Sequence, residues 1–430
     1  MDTRERRDYF SNERWTAAVV GLGYVGLPLC VTAVDAGLAV IGYDISEARV
    51  SGLLSGRSPI VDVPDDVLGQ ALDKGLSFTT ESSELSKADA VFLCVPSPLG
   101  RNREPDMSSI VDAARTFADH ARTGQLVSLE STTYPGTLEE VLVPALEDRG
   151  LKVDVDVFVA FSPERVDPGN EIKTAAIPKV VGGLTPASTE VAAAAYSRLV
   201  EKVHVVSNSR VAEMTKLLEN TYRAVNIGLV NELAMLAREL DIDIWEVIDA
   251  AKTKPFGFQA FYPGPGVGGH CIPLDPQYLA WRARQLRFPT RFIDLAEQTN
   301  AIMPAYVVDR IGEVLNRTGQ AINGSKILAV GLAYKPDVAD YRESAAMEVV
   351  VELIRRNAHL EIHDPVVGDQ VIQSLGFTSA DRFSGFDLAV ILTDHSGLQY
   401  EEIAEGAGSV FDTRNVYRRL GLFPDGLEVL

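Results

Sequence analysis

No apolar run in the sequence approaches the roughly eighteen or more residues that a membrane-spanning helix requires, which excludes a helical membrane protein. Cysteine is scarce. Cys30, Cys94 and Cys271 form no C-x-x-C pair. That excludes a disulfide framework and the common thiolate metal or redox spacing, so no metal is expected and a reducing cytoplasm is the expected compartment. Positive charge is in deficit, with 40 Lys and Arg against 60 Asp and Glu, a net of −20. Such a surface has no field to attract nucleic acid or an anionic membrane, although local basic pockets for a charged small molecule remain compatible with it. The first fifteen residues, MDTRERRDYFSNERW, lack the apolar segment of a secretory signal and read as a charged, poorly ordered leader. What is present is a 430-residue chain, 46% hydrophobic and 23% charged. Its length suits a soluble protein of two or three domains at roughly 150 residues each.

Patterning divides the chain into zones. From Thr16 to about Val206, the short runs AAVVGLG, LAVIGYD, ADAVFLCVPS, GQLVSLEST and VDVFVAFSPER alternate with helical stretches. Apolar strands flanked by helices are what a parallel sheet buried on both faces requires. A second zone of the same kind begins near Ser325 with SKILAVGLAY, HLEIHDP, FDLAVILTDH and SVFDTRNV. The zones echo each other: Asp89 precedes AVFLCV as Asp387 precedes LAVILT, and Asp44 and Asp364 each close a second strand. Between them, Met214, Leu217, Leu218, Tyr222, Val225, Leu229, Leu233, Leu236 and Leu240 recur at steps of three and four. That stripe predicts one helix over 211–240, suited to an inter-domain strut or a dimer interface. The expected fold is α/β, with two Rossmann-like doubly wound domains joined by a central helical domain with one long helix. The expected segments are a leader (1–15), a cofactor domain (16–206), a central helical domain (207–315) and a second Rossmann-like domain (316–430).

Gly21-Leu22-Gly23-Tyr24-Val25-Gly26 follows the first strand directly and leads into a helix. Glycine is needed there for the tight turn, for close approach of a pyrophosphate and for helix-strand packing, and the helix N-terminus favours the phosphates. Asp44, eighteen residues further on, places a carboxylate where it can accept from both ribose hydroxyls, which favours NAD over NADP. A second motif, Gly264-Pro265-Gly266-Val267-Gly268-Gly269-His270-Cys271-Ile272-Pro273-Leu274-Asp275, is a shaped loop ending in a cysteine. Cys30 and Cys94 sit in apolar segments and read as packing. Cys271, with the loop before it and Asp275 after it, reads as a nucleophile. His270 either lowers the thiol pKa or lines the substrate loop. Lys216 and Asn220, four apart, share one helical side with Arg223.

Taken together, GLGYVG with GYD, STTYPGT, SPERVDPGN, KLLENTYRAVNIGLVNE, GPGVGGHCIPLDP and GLAYKPDVADYRES resemble the UDP-glucose/GDP-mannose dehydrogenase family, in its order and over nearly the whole chain. SPERVDPGN and the stretch around His270 look most like the branch that oxidises UDP-N-acetylhexosamines, above all UDP-N-acetylglucosamine, with a UDP-glucose or UDP-N-acetylmannosamine dehydrogenase as the alternative within the family. The resemblance implies NAD-dependent four-electron oxidation of a C6 alcohol to a carboxylate, for a polysaccharide or glycan precursor. An aldehyde gives up a second hydride only after a nucleophile has added, and thiolate addition followed by that loss leaves a thioester for water to hydrolyse. It matches Cys271 to the nucleophile, Asp275 and Lys216 to groups flanking C6, and Asn220 to the oxyanion donor. Thr132 and Glu164 match groups that hold a water and act in thioester hydrolysis. The first general base stays open among Lys216, Asp275, Glu164 and water.

The cofactor set it implies is Gly21, Gly23, Tyr24, Val25, Gly26, Asp44, Arg49, Ser97, Thr132 and Arg342, the last reaching NAD at a domain interface. The UDP-sugar set is Glu164, Arg165, Val166, Lys216, Asn220, Arg223, Phe261, Tyr262, Gly266, Gly268, Gly269, His270 and Lys335. Phe261 or Tyr262 packs near the uracil. The family's cross-subunit arginine has no clear counterpart, Lys254 being the nearest cation. A homodimer or higher homo-oligomer is expected. Two other readings differ in kind. A two-electron β-hydroxyacid dehydrogenase shares the Rossmann motif, long helix, lysine and asparagine but lacks the cysteine loop, and an inactive nucleotide sensor would make no NADH.

Overall fold

The computed structural model describes residues 2–100, 103–166, 174–269 and 272–430. His270 and Cys271 lie outside them. The chain folds as two compact units, residues 1–219 with 277–288 and residues 220–276 with 289–430. The 207–315 stretch, expected as one domain, is shared between them.

The first unit is built on eight strands: β1 (Thr16–Val20), β2 (Ala39–Tyr43), β3 (Leu76–Thr79), β4 (Ala90–Leu93), β5 (Gln125–Leu129), β6 (Val157–Phe161), β7 (Lys179–Gly183) and β8 (Val203–Val205). Their order is β3-β2-β1-β4-β5-β6-β7-β8. Every neighbouring pair is parallel except β6 and β7. The reversal of direction between β1-β2-β3 and β1-β4-β5 is the doubly wound switch point, outside whose carboxyl ends ligands bind. Both faces are covered: Phe92 and Cys30 pack in one buried cluster and Leu93 and Phe117 in another. Fully burying a side chain of that size contributes about 1.5–3 kcal/mol.

The second unit carries β9 (Lys326–Val330), β10 (His359–His363), β11 (Leu388–Ile391), β12 (Val410–Asp412) and β13 (Leu427–Val429) in the order β10-β9-β11-β12-β13, all parallel. The internal echo in the sequence has a physical basis. Asp89 accepts from the backbone N–H of Thr16, the first residue of β1, at 3.0 Å, and Asp387 accepts from that of Lys326, the first residue of β9, at 2.8 Å. Asp44 accepts from Leu22 N–H at 2.9 Å and Asp364 from Leu332 N–H at 2.6 Å. Each carboxylate ties a neighbouring strand to the β-strand that opens its sheet.

The long helix spans Ser209–Glu239, 31 residues. Most of its conspicuous apolar stripe does not face the core, Leu217 being the buried exception. Met214, Leu218, Tyr222, Leu229, Leu233 and Leu236 are exposed, Leu218 by 59%, whereas Ala212, Leu217, Ala224, Val230, Ala234 and Ala237 are buried. Small residues line the inner side because neighbouring backbone comes close: a Cβ on Gly228 would lie 3.1 Å from Ala296 Cα. The leader expectation is corrected in the same way. Thr3–Asn12 is a helix whose Phe10 is fully buried and whose Arg6 is bonded to Asp89 at 3.2 Å. Phe10 meets Trp15 edge to face at 5.1 Å. Ordering follows because the charged segment carries one apolar face and its buried cation has a buried partner.

Candidate active site

β1 ends at Val20 and the helix Gly26–Asp35 starts after a five-residue loop. Gly21 adopts φ +91°, and a Cβ on Gly26 would sit 1.9 Å from the Gly21 carbonyl oxygen, so both positions demand glycine. No side chain caps the helix, and a Cβ on Gly23 would meet nothing within 4 Å. Uncapped N–H groups beside open space suit a pyrophosphate. Asp44 closes the cradle, its two carboxylate oxygens accepting from Leu22 N–H and Ser46 N–H at 2.9 Å each, with lone pairs remaining for ribose hydroxyls. The residues therefore fit NAD. Tyr24 is exposed and Val25 and Arg49 part-buried around the same turn, Arg49 on the helix Glu47–Leu54.

The carboxyl ends of the next strands bring further expected residues to the same edge of this sheet. Ser97 follows β4, and its carbonyl accepts from the Tyr278 hydroxyl at 2.8 Å. Thr132 follows β5, part-buried, and Glu164 follows β6. Glu164 Oε1 accepts from the N–H groups of Arg165 and Val166 at 2.6 Å each. Its other oxygen accepts from Lys179 at 3.1 Å. Burial pushes this carboxyl up, but the Lys179 ammonium and the two backbone donors more than offset that and hold it below the usual carboxylate range. Arg165 does not project freely. Its guanidinium donates to Glu219 at 2.6 and 3.2 Å and to the Pro178 carbonyl at 2.9 Å. Lys216, on the long helix, is 8% exposed, and among the described residues no hydrogen bond or ion pair engages its ammonium.

In the second unit, Asn220, one turn beyond Lys216, donates its amide to Asp275, and both are buried. Asp275 opens the helix Asp275–Gln285, four residues past Cys271. Arg223, expected on the same side, is exposed. The glycines before His270 serve tight packing against the segment after β9. A Cβ on Gly266 would approach Ala345 Cβ to 2.9 Å, on Gly268 the Glu343 carbonyl oxygen to 2.8 Å, and on Gly269 the Tyr334 ring to 2.8 Å. Gly269 N–H donates to that same Glu343 carbonyl at 3.1 Å. Tyr262 stacks on Trp245 at 5.6 Å and donates to Asp249, while Phe261 meets Tyr222 edge to face at 5.8 Å. Lys335 is part-buried in the segment after β9, and exposed Arg342 forms a two-point pair with Asp340 at 2.7 and 2.9 Å.

Sequence reasoning missed several groups at these sites. Lys179, itself bonded to Glu130, holds Glu164 from an element distant in the chain. His395, fully buried, accepts from Asp337 N–H at Nδ1, which leaves Nε2–H to donate to Asp364 at 3.1 Å. Burial raises the Asp364 carboxyl, and the His395 donor and backbone N–H groups then carry it down to about 2. His395 thereby fixes the segment holding Lys335. Arg414 lies against Gly264, where a Cβ would come 2.7 Å from its guanidinium. The aspartate echo could have pointed to Asp364, but no local pattern marks the other groups.

A doubly wound sheet with a glycine cradle that fits NAD, and a second unit of Rossmann-like topology in the same chain, define a two-unit nucleotide-binding protein. The chain belongs to the UDP-glucose/GDP-mannose dehydrogenase family: its NAD binding domain matches residues 15–200, its central domain 210–302 and its UDP binding domain 328–419. The chain is 35% identical to the UDP-N-acetyl-D-glucosamine 6-dehydrogenase of Pseudomonas aeruginosa, over 90% of this chain and 92% of that one. It is 34% identical to an NDP-N-acetyl-D-galactosaminuronic acid dehydrogenase of Ralstonia nicotianae, over 88% and 90%. The UDP-D-ManNAc dehydrogenase structure from Pyrococcus horikoshii superposes with a TM-score of 0.86 at 32% identity, covering 96% of this chain and 98% of that one. The protein is thus an NAD-dependent nucleotide-sugar dehydrogenase.

Proposed function

We propose that the protein oxidises the C6 hydroxymethyl of a UDP-N-acetylhexosamine, foremost UDP-N-acetylglucosamine, to the carboxylate, and that it works as a homodimer or larger homo-oligomer. The N-acetyl preference is supported by the relatives described above, whose names all carry an N-acetylated sugar. The observation that carries the chemistry is the buried Asn220–Asp275 pair bracketing, in sequence, the loop that ends in Cys271. Bound in the first cradle, NAD would accept one hydride, so two NAD molecules taken in turn would supply the acceptors for the two hydrides per sugar. Lys216, buried and unengaged by any hydrogen bond or ion pair among the described residues, balances negative charge on the C6 oxygen, and Asn220 donates to it. Asp275 accepts from the Asn220 amide and so fixes which way that donor points. Cys271 adds to the C6 aldehyde, so the carbon again carries a hydrogen that can leave, and the resulting thioester is opened by water with Glu164 as base.

The test is NADH formed per mole of sugar consumed, with UDP-N-acetylglucosamine, UDP-N-acetylmannosamine, UDP-N-acetylgalactosamine and UDP-glucose at equal concentration. Two NADH and an N-acetylated sugar preferred support the proposal. One NADH overturns the four-electron chemistry, and a preference for UDP-glucose overturns the substrate assignment. Cys271→Ala abolishes net acid formation on this reading, and intact four-electron turnover in that variant would refute the thioester route.

A further inference from the structure

We propose that Lys179, anchored by Glu130, is the positioning residue that keeps Glu164 ionised and aimed for thioester hydrolysis; this rests on the reading of Glu164 as the hydrolytic base. Lys179 is 3% exposed and Glu130 is fully buried. The lysine ammonium donates to both Glu130 Oε2 and Glu164 Oε2. Glu130 is held from its other side by the Tyr196 hydroxyl at 2.7 Å, itself bonded to Ser128 at 2.8 Å. Two carboxylates and one ammonium therefore share a closed site. An isolated buried charge would be strongly unfavourable, so each member requires the others.

The antiparallel strand explains how Lys179 arrives there. Phe161 pairs with Gly182 and Ala160 with Gly183, and the same register carried three residues past Phe161 sets position 164 opposite 179. A parallel β7 would put its first residue at the amino edge of the sheet, away from Glu164. Reversing β7 thus delivers a cation from its N-terminal end to the carboxyl edge where ligands bind.

In the step served, water oxygen bonds to the acyl carbon while Glu164 takes one of its protons. The carbon–sulfur bond breaks, and Cys271 leaves as thiolate with the electron pair. Glu164 then releases its proton to solvent, the acid ionises, and no redox change occurs. A carboxylate serves only while ionised, and Lys179 favours that form. Burial alone would push the Lys179 ammonium down, but Glu130 and Glu164 hold it above the ordinary lysine range, so its charge persists throughout the working pH range.

The experiment follows acyl-enzyme on Cys271 by acid quench and intact-protein mass spectrometry, together with steady-state NADH production, from pH 5.5 to 9 in the full-length enzyme with UDP-N-acetylglucosamine and NAD. Lys179→Met should accumulate acyl-enzyme at low pH, with the acid limb of kcat moved up by about one to three pH units, the size of a lost neighbouring charge. Lys179→Arg should restore the limb. Glu130→Gln removes a like charge facing Glu164, so its limb should stay or move down. Because Lys179→Met leaves Glu130 buried without its cation, the double variant Glu130→Gln/Lys179→Met carries the same test if the single variant does not fold, and should show the upward shift. A pH-independent loss of rate in folded variants, with no acyl-enzyme, would overturn the positioning role. Glu164→Gln separates the two readings: if it accumulates no acyl-enzyme, Glu164 is not the base; if it does and the lysine variants leave the limb unmoved, only the inference about Lys179 fails.

Discussion

A methyl group at Gly26 would sit 1.9 Å from the Gly21 carbonyl oxygen, closer than any real Cβ contact. Gly26→Ala is therefore expected to push the loop out of shape, lowering NADH affinity at least tenfold in a fluorescence titration. Overpacking of this kind costs about 1–3 kcal/mol, so melting falls by a few degrees as well. Wild-type NADH affinity in the variant would show that the loop is not the cofactor cradle. This residue was legible in the sequence because a tight turn between strand and helix needs glycine wherever it occurs. The glycines before His270 were legible only as a shaped loop. Their reason, close packing against Tyr334 and Glu343, lies some seventy residues away in the chain, beyond the reach of local pattern.

At the scale of elements, the long helix shows how a correct period can leave the facing direction open. The three-four spacing of Leu218, Tyr222, Leu229, Leu233 and Leu236 marks a helix face, yet those residues are exposed and the alanine-rich side is buried. Exposed apolar side chains in a continuous stripe suit a second copy of the chain. Leu229→Glu with Leu233→Glu, both glutamates being good helix formers, should keep the circular dichroism of the parent and halve or further reduce its mass in sedimentation at micromolar protein. A monomeric parent, or a variant of unchanged mass, would contradict assembly through this face. The N-terminal helix carries the complementary lesson. Charge suggested a poorly ordered segment, but Phe10, Arg6 and Tyr9 converge on Trp15 and Asp89, and the pairing that orders them spans about eighty residues.

For the whole molecule, buried carboxyls set how stability responds to pH. Burial pushes Glu213 up to about 7, only partly opposed by the N–H groups of Gly136 and Leu138, and burial likewise pushes Asp412 up to about 6. An acid whose folded pKa exceeds its ordinary value binds more protons folded than unfolded. Stability therefore declines as pH rises from about 4.5 to about 7 and is flat above that for this group. The decline due to Glu213 is on the order of 3 kcal/mol. Glu213→Gln should remove that part of the slope in urea unfolding at pH 5 and pH 8 and leave the part due to Asp412. An unchanged slope would mean that Glu213 titrates alike in both states. The sequence by itself determined what local chemistry dictates: five strands of the first sheet, the paired aspartates of two related halves, the glycine turn with Asp44, and the long helix. Each rests on a period, a turn or a short spacing that neighbouring residues impose on one another. Only the tertiary structure decided which helix face is covered, that β7 runs backwards, and that this reversal sets Lys179 between Glu130 and Glu164. Those outcomes depend on which distant surfaces exclude water together, and one strand's direction relative to its neighbour leaves no mark in its own residues.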